Sequence, residues 1–598
     1  MIARITTFFR RWRKRVSRSE WAAKHFGAPR KRTKGDLKEG IILIQIDGLG
    51  YDQFIWALRK KRLPFLSRLL GRDEHELRRF YSGLPSSTPA VQAELFFGVR
   101  CAVPAFHYLD RNEGDDRVMY DPEAVKKLAA TLEEGEVGLL AGGTGYGNIL
   151  VGGAEEARFC IQGMDLQSIF HWRHPFRTFL LVFSHLDGIV RICGLTLLET
   201  LLAVVDFFRG LIHRRNIFKE LRFIVARIGV CIVLREFLRL HVKLDIAAGV
   251  PIIHATFVGY DEHAHRRGPT SAFAHWTLKG IDGVIRDITK AARRSDRRHY
   301  QLVVYSDHGQ EAVLPFEKLR GETIHQAVSR VFKHGPLEEY TVRPPEEGVP
   351  YANLHLRAVN LLKQAVKQAG KVEGGKKHGD IRLTAMGPLG HLYLPKTLTA
   401  AQMEAYARGL VQDAKIPFVL YNSDRPWLVT EKGKMDLRQV QSLFAGDGNH
   451  FAEQIQEDLL RICLHQDAGD FVIGGWHLGK GPLSFPIENG AHGGPGRHET
   501  CGFLVIPDFL AAGVDCWRPA VLRKKIMTYR QKGASKPSVP SMSPARAGRL
   551  RLLTYNIHSC IGLDGKMLPE RISRIIGRMA PDVVCLQEVD RGMKRSGG

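Results

Sequence analysis

The sequence predicts an α/β fold, with a mostly parallel central sheet covered by helices on both faces. Two observations predict it. Short apolar runs rich in β-branched residues recur, several closing on an aspartate, and segments of helical period lie between them. Strands alternating with helices build a sheet of this kind.

The first run, IILIQI at residues 41–46, leads into Asp47-Gly48. A continuous apolar run of this length marks a buried parallel strand. PIIHATFVGY before Asp261 and YQLVVYS before Asp307 have the same form, and GFLVIP near residue 505 is read with them. AFAHWTLKGIDGVIRDITKAA, between the second and third runs, has helical period. Ligands of such sheets bind beyond the carboxyl ends of the strands. Asp47 and Asp307 fall at that kind of position.

At 598 residues the chain exceeds one ordinary core, so two or more domains are expected. Hydrophobic residues make up 44%, a globular value that excludes wholesale disorder. Lys and Arg number 87 against 62 Asp and Glu, a formal charge of +25. That field draws anions. No zinc finger or RNP-like aromatic signature accompanies it, so nucleic acid is not the expected partner. Nine scattered cysteines without CxxC pairs exclude a disulfide framework and a structural zinc site, and suit a reducing cytoplasm.

Residues 1–38 form a basic arm; the first 40 residues hold 13 Lys/Arg against 3 Asp/Glu. The arm lacks the apolar core and cleavage site of a secretory signal. Phe8, Phe9 and Trp12 among the arginines leave two readings, a solvated tail or a membrane-surface anchor. Residues 39–525 read as the main domain. Its stretch from about 165 to 250 is apolar but broken by charges, with no clean run long enough to span a bilayer. It reads as a helical insertion that packs on the domain, with a membrane surface as the alternative. Residues from about 395 to 480 mix helix and strand patterns and read as a subdomain inserted before the last motif. Residues 526–548, rich in Ser, Pro, Lys and Gly, read as a linker. Residues 549–598 look folded again, as an incomplete α/β segment. The expected location is cytoplasmic, at the inner face of the membrane if the arm anchors.

Six potential metal ligands stand in four tight contexts: Asp47 in QIDGLG, Asp261 and His265 in GYDEHAHRRGP, Asp307 and His308 in YSDHGQ, and His492 in NGAHGGPG. Each alone has an ordinary explanation as a cap or turn residue. Their joint occurrence in this order is hard to explain by packing. Three aspartates and three histidines suit zinc, with manganese as the alternative. GLPSSTPAVQAELFFG places Thr88 just before a proline and a helical pattern. A helix N-terminus there favours a phosphoryl oxygen; the competing reading is that Thr88 simply caps the helix.

The order Asp-Gly, PSST, DEHAHRRGP, SDHG and HGG resembles the type I phosphodiesterase/nucleotide pyrophosphatase branch of the alkaline phosphatase superfamily, over roughly residues 40 to 515. The resemblance implies an alkaline phosphatase-like fold and two divalent metal ions. Asp261, His265 and His492 would hold one, and Asp47, Asp307 and His308 the other. His498 is the rival to His492, which is preferred because the family sets this histidine directly before glycine. Thr88 would be the nucleophile, passing through a phosphothreonine that water hydrolyses. The implied reaction is hydrolysis of a phosphodiester, with phosphomonoesterase or phosphotransferase activity at the same site as one alternative and a non-catalytic membrane-surface scaffold as another. The expected substrate is a phosphorylated small molecule or lipid headgroup; the anchor reading of the arm adds a peripheral contact with anionic membrane, and oligomeric state is not legible.

The C-terminal LRLLTYNIHSC and PDVVCLQEVD resemble the start of the endonuclease/exonuclease/phosphatase family, over about 50 residues. By that resemblance Asn556 and Glu588 would bind magnesium. The family's later motifs would lie beyond Gly598, so this half-domain is expected to be inactive in this chain, which reads as a fragment or a truncated gene model.

Overall fold

The computed structural model describes residues 38–71, 75–163, 229–343, 380–477, 481–531, 551–560, 572–573, 575–576, 579 and 581–589. The basic arm to residue 37, the predicted insertion up to residue 228 and the linker from 532 lie outside the described residues.

The principal strands are β1 (Lys38–Ile46), β2 (His75–Tyr81), β3 (Thr144–Tyr146), β4 (Glu156–Arg158), β5 (Ile252–Phe257), β6 (Arg298–Tyr305), β7 (Arg382–Met386), β8 (Leu389–Tyr393), β9 (Phe418–Asn422), β10 (Pro426–Thr430), β11 (Gly433–Asp436), β12 (Phe471–Gly474) and β13 (Cys501–Pro507). A seven-stranded central sheet has the order β2-β13-β6-β1-β5-β3-β4. β1 lies between β5 and β6 and pairs in parallel with both. From Ile41 to Ile46 it is apolar except for Gln45, because it is buried on both faces: Ile41, Ile42, Leu43, Ile44 and Ile46 are fully buried.

One strand departs from expectation. β13, which contains GFLVIP, runs antiparallel to β6 and to β2. An antiparallel strand buried on both faces shows the same unbroken apolar run as a parallel one, so composition could not give its direction.

Helices cover both faces. The helices used below are α1 (Thr88–Phe97), α2 (Arg235–Ala248), α3 (Gly259–Arg267), α4 (Ala272–Arg294), α5 (Ala452–Cys463) and α6 (Pro519–Gln531). One core packs around Phe96, Val125, Leu140, Trp517 and Leu522. The other packs around Phe54, Val242, Leu278, Ile285 and Phe503. α2 falls in the C-terminal part of the stretch read as an insertion, yet Leu238, Val242 and Ile246 are buried in this second core. α6 runs to Gln531, six residues into the expected linker of 526–548. Ile526 is fully buried, and Arg530 donates to the carbonyls of Leu139 and Ala141. These contacts hold the helix past residue 525.

A second sheet, of order β7-β8-β12-β9-β10-β11, spans residues 382–474. Its neighbours are all antiparallel. It forms most of the subdomain before the last motif. A buried charge network ties it to the first sheet: Arg518 binds Glu94 on α1 and Asp458 on α5. Near the chain's end, strands Leu552–Asn556 and Val583–Gln587 pair in parallel.

Candidate metal centre

Asp47 follows β1 directly, and Asp307 and His308 follow β6 after one residue. Because β1 and β6 are parallel neighbours, both motifs emerge at one edge of the sheet. Gly48 carries φ +71°, and a Cβ there would lie 2.3 Å from Oδ1 of Asp261. That close approach requires glycine. Its N–H points to Oδ1 of Asp307 at 3.4 Å. Asp261 and His265 lie four residues apart on α3, so they share one helix face. His492 follows a short strand at Gly490–Ala491. Thr88 is the first residue of α1; the N-cap is Ser87. The Thr88 hydroxyl does not cap the helix but lies 3.3 Å from Oδ1 of Asp47.

All seven residues meet in one place. Oγ1 of Thr88 is also 3.3 Å from Nε2 of His308. That nitrogen is 3.6 Å from Oδ1 of Asp47 and 3.4 Å from Oδ2 of Asp307. Nε2 of His265 is 3.4 Å from Oδ2 of Asp261, and Nε2 of His492 is 3.9 Å from Oδ1 of Asp261. Ligand atoms of Asp47, Asp307 and His308 lie within 4.8 Å of one another, as do those of Asp261, His308 and His492. His265 adjoins the second group through Asp261. His498 stands apart, half-exposed and 3.2 Å from Asp52 at the surface.

The three imidazoles share one orientation. Nδ1 of His308 lies 2.9 Å from the carbonyl of Gly309, Nδ1 of His265 2.9 Å from that of Gly490, and Nδ1 of His492 2.8 Å from that of Ser86. A carbonyl oxygen only accepts, so each Nδ1 donates. In the neutral ring Nε2 then presents a lone pair. Those lone pairs converge with three carboxylates, and Oδ2 of Asp307 is buried with no hydrogen-bond partner among the described residues. Facing lone pairs repel unless a cation lies among them. The donor set therefore fits divalent metal ions.

The electrostatics carry the same signature. Burial, and after it the charge of Asp261, push the Asp307 carboxyl up to about 7. Burial and then His492 hold His308 well below its ordinary value. Burial also lowers His492. His265 is raised: burial opposes its cation, but Asp261 and then Glu488 outweigh that. Asp261 is held well below the usual carboxylate range, since His265, His492 and His308 outweigh its burial.

Several supporting residues escaped sequence reasoning. Glu488 accepts from Nδ1 of His265 at 2.9 Å and is itself bound by Ser484. Gln310 donates to the Asp261 carboxylate and to its backbone carbonyl. Gln310 follows SDHG by one residue, the only local signal available; Glu488 has none beyond its nearness to His492.

Asn556 ends one of the two C-terminal parallel strands and Glu588 immediately follows the other. Asn556 pairs with Gln587 in register, so the two residues stand at the same edge of the pair.

Residues 227–441 match the family model described as type I phosphodiesterase / nucleotide pyrophosphatase. The match includes Asp261, His265, Asp307 and His308. No curated protein sequence matches the chain. Among solved structures, phosphonoacetate hydrolase from Sinorhizobium meliloti 1021 in complex with phosphonoformate is similar at TM-score 0.40 and 14% identity, covering 82% of this chain and 96% of that one. Murine ectonucleotide pyrophosphatase / phosphodiesterase 5 gives TM-score 0.42 and 10% identity, over 82% and 95%. Its human counterpart gives 0.41 and 9%, over the same shares. At these scores the likeness carries no functional weight. The family match stands on its own: the chain is a hydrolytic enzyme acting on phosphate esters.

Proposed function

We propose that this chain is a two-metal phosphodiesterase with Thr88 as its nucleophile. The observation that carries the reading is the clustering of three Nε2 atoms and three carboxylates, with Oγ1 of Thr88 against Asp47 and His308 within it. Asp261, His265 and His492 would hold one divalent ion, and Asp47, Asp307 and His308 the other, with zinc as the metal and manganese as its alternative. When bound, such ions supply positive charge that favours the threonine alkoxide and stabilises the charge developing on the phosphoryl group.

The chain's own residues do the rest. Thr88 stands at the start of a ten-residue helix, where backbone N–H groups favour a phosphoryl oxygen. Oγ1 attacks phosphorus and gives up its proton toward Asp47. The bond from phosphorus to the leaving alcohol breaks, and the phosphoryl group is carried on Thr88. Water then attacks phosphorus from the leaving-group side, releasing the product and restoring the Thr88 hydroxyl. Burial of Asp307 and His308 keeps bulk solvent from the inner side of the centre.

The substrate class is a phosphorylated small molecule or a lipid headgroup. The basic N-terminal arm favours a cytoplasmic location at an anionic membrane face; among the described residues no helix is long and apolar enough to cross a membrane. The C-terminal strand pair is read as the opening of an endonuclease/exonuclease/phosphatase-like fold.

The test is hydrolysis of bis-p-nitrophenyl phosphate and p-nitrophenyl phosphate by zinc-loaded, manganese-loaded and metal-stripped protein. Metal-dependent cleavage that favours the diester supports the reading. Preference for the monoester would move the chain to the phosphomonoesterase alternative.

A further inference from the structure

Glu499 is fully buried, and its carboxylate is spent on backbone. Oε2 accepts from the N–H of Gly494 and Oε1 from that of Gly496, each at 2.8 Å. The Gly-Gly-Pro-Gly turn thus wraps a carboxylate; a Cβ at Gly496 would lie 2.6 Å from Oε1. This turn directly follows His492.

Ser86 completes the arrangement. Its hydroxyl donates to the carbonyl of Gly494 at 3.0 Å and accepts from the N–H of Gly493 at 2.8 Å, with Oε2 of Glu499 at 3.3 Å. Its carbonyl is the acceptor that orients His492. Two residues later comes Thr88. On its other side, the carbonyl of Glu499 accepts from the N–H of Gly309, the residue after His308, at 2.8 Å. One buried residue therefore joins the nucleophile loop, the His492 turn and the His308 turn, segments far apart in the chain. Burying a carboxylate is costly, and burial followed by the charge of Glu311 pushes this one up to about 8.

We propose that Glu499, acting through Ser86, is a positioning residue that fixes His492 relative to Thr88 and so couples metal binding at His492 to placement of the nucleophile. The proposal rests on the two-metal reading above. Neither residue touches substrate or metal; both act through the backbone of the turn and through the His492 ring.

The test is zinc titration of metal-free full-length protein, by competition with a chromogenic chelator, for wild type, Glu499→Gln and Ser86→Ala. Glutamine keeps the size of the side chain but sets an NH2 group against one of the two N–H donors. One of two zinc-binding events should weaken about tenfold or more, with the other held within about twofold. On the loaded enzyme, kcat should fall while KM is kept. If Glu499→Gln fails to fold, Ser86→Ala carries the test. Two events unchanged in the folded variants would overturn the proposal. Equal weakening of both, with a lowered melting temperature, would also overturn it by showing a purely structural role. Wild-type protein that binds no zinc would instead overturn the two-metal reading beneath it.

Discussion

The imidazole rings of His308 and His492 stack face to face, with centroids 3.8 Å apart and planes 21° from parallel. They come from turns after different strands and belong to different proposed metal groups. Two imidazolium ions would repel at this distance, and burial holds both rings in the neutral, ligating form. The stack thus sets the two groups side by side.

Metal affinity should rise with pH. Ligands must be deprotonated to bind, so each proton held in the metal-free chain competes with metal. Asp307 is pushed up to about 7, and His265 lies above its ordinary value. Both carry protons at pH 6, and Asp307 loses its own as pH passes 7. Zinc dissociation constants measured at pH 6, 7 and 8 should fall steeply across that range; a flat profile would contradict the assignment of these two residues as ligands.

Removing one ligand should empty one position selectively. Asp307→Ala should bring zinc content from about two per chain to about one and abolish turnover. Elemental analysis of the purified, folded variant checks this, and an unchanged content would exclude Asp307 as a ligand.

Stability should depend on Arg518. Its guanidinium is mostly buried and bonds both Glu94 and Asp458, whose side chains are almost fully buried. Arg518→Ala leaves two carboxylates without that partner and should cost about 3–5 kcal/mol. Denaturant unfolding measures it. Because Glu94 lies on α1 with Thr88, a smaller loss of activity should accompany the loss of stability.

Glu499 should impose a pH slope. Its folded-state pKa of about 8 exceeds the ordinary 4.5, so between those values the folded state holds more protons than the unfolded. Wild-type stability therefore loses ground as pH rises from about 5 to about 8, and the loss levels off above. Glu499→Gln cannot titrate, so the stability difference between variant and wild type should move in the variant's favour over that window. A constant difference would mean that Glu499 is ionised throughout.

The central sheet and the clustering of the seven candidate residues were legible because both rest on chemistry that survives in one dimension. A buried strand must be apolar, and a candidate metal site needs side chains that carry donor atoms, such as carboxylates and imidazoles. Asp47, Asp261, His265, Asp307, His308, His492 and Thr88 all stand in such contexts, and the structure brings them together. The direction of β13 was not legible, since burial on both faces erases the alternation that betrays an antiparallel strand. Glu488, Ser86 and Glu499 were not legible as a supporting layer either. Their partners lie hundreds of residues away or are backbone groups, neither of which leaves a pattern in the local sequence.

The central claim, that Thr88 is the nucleophile of a metal-dependent phosphodiesterase, is tested most directly by Thr88→Ala protein loaded with zinc and assayed on bis-p-nitrophenyl phosphate. The variant should bind as much zinc as wild type while hydrolysis falls by about three orders of magnitude or more. Hydrolysis retained near the wild-type rate would contradict it.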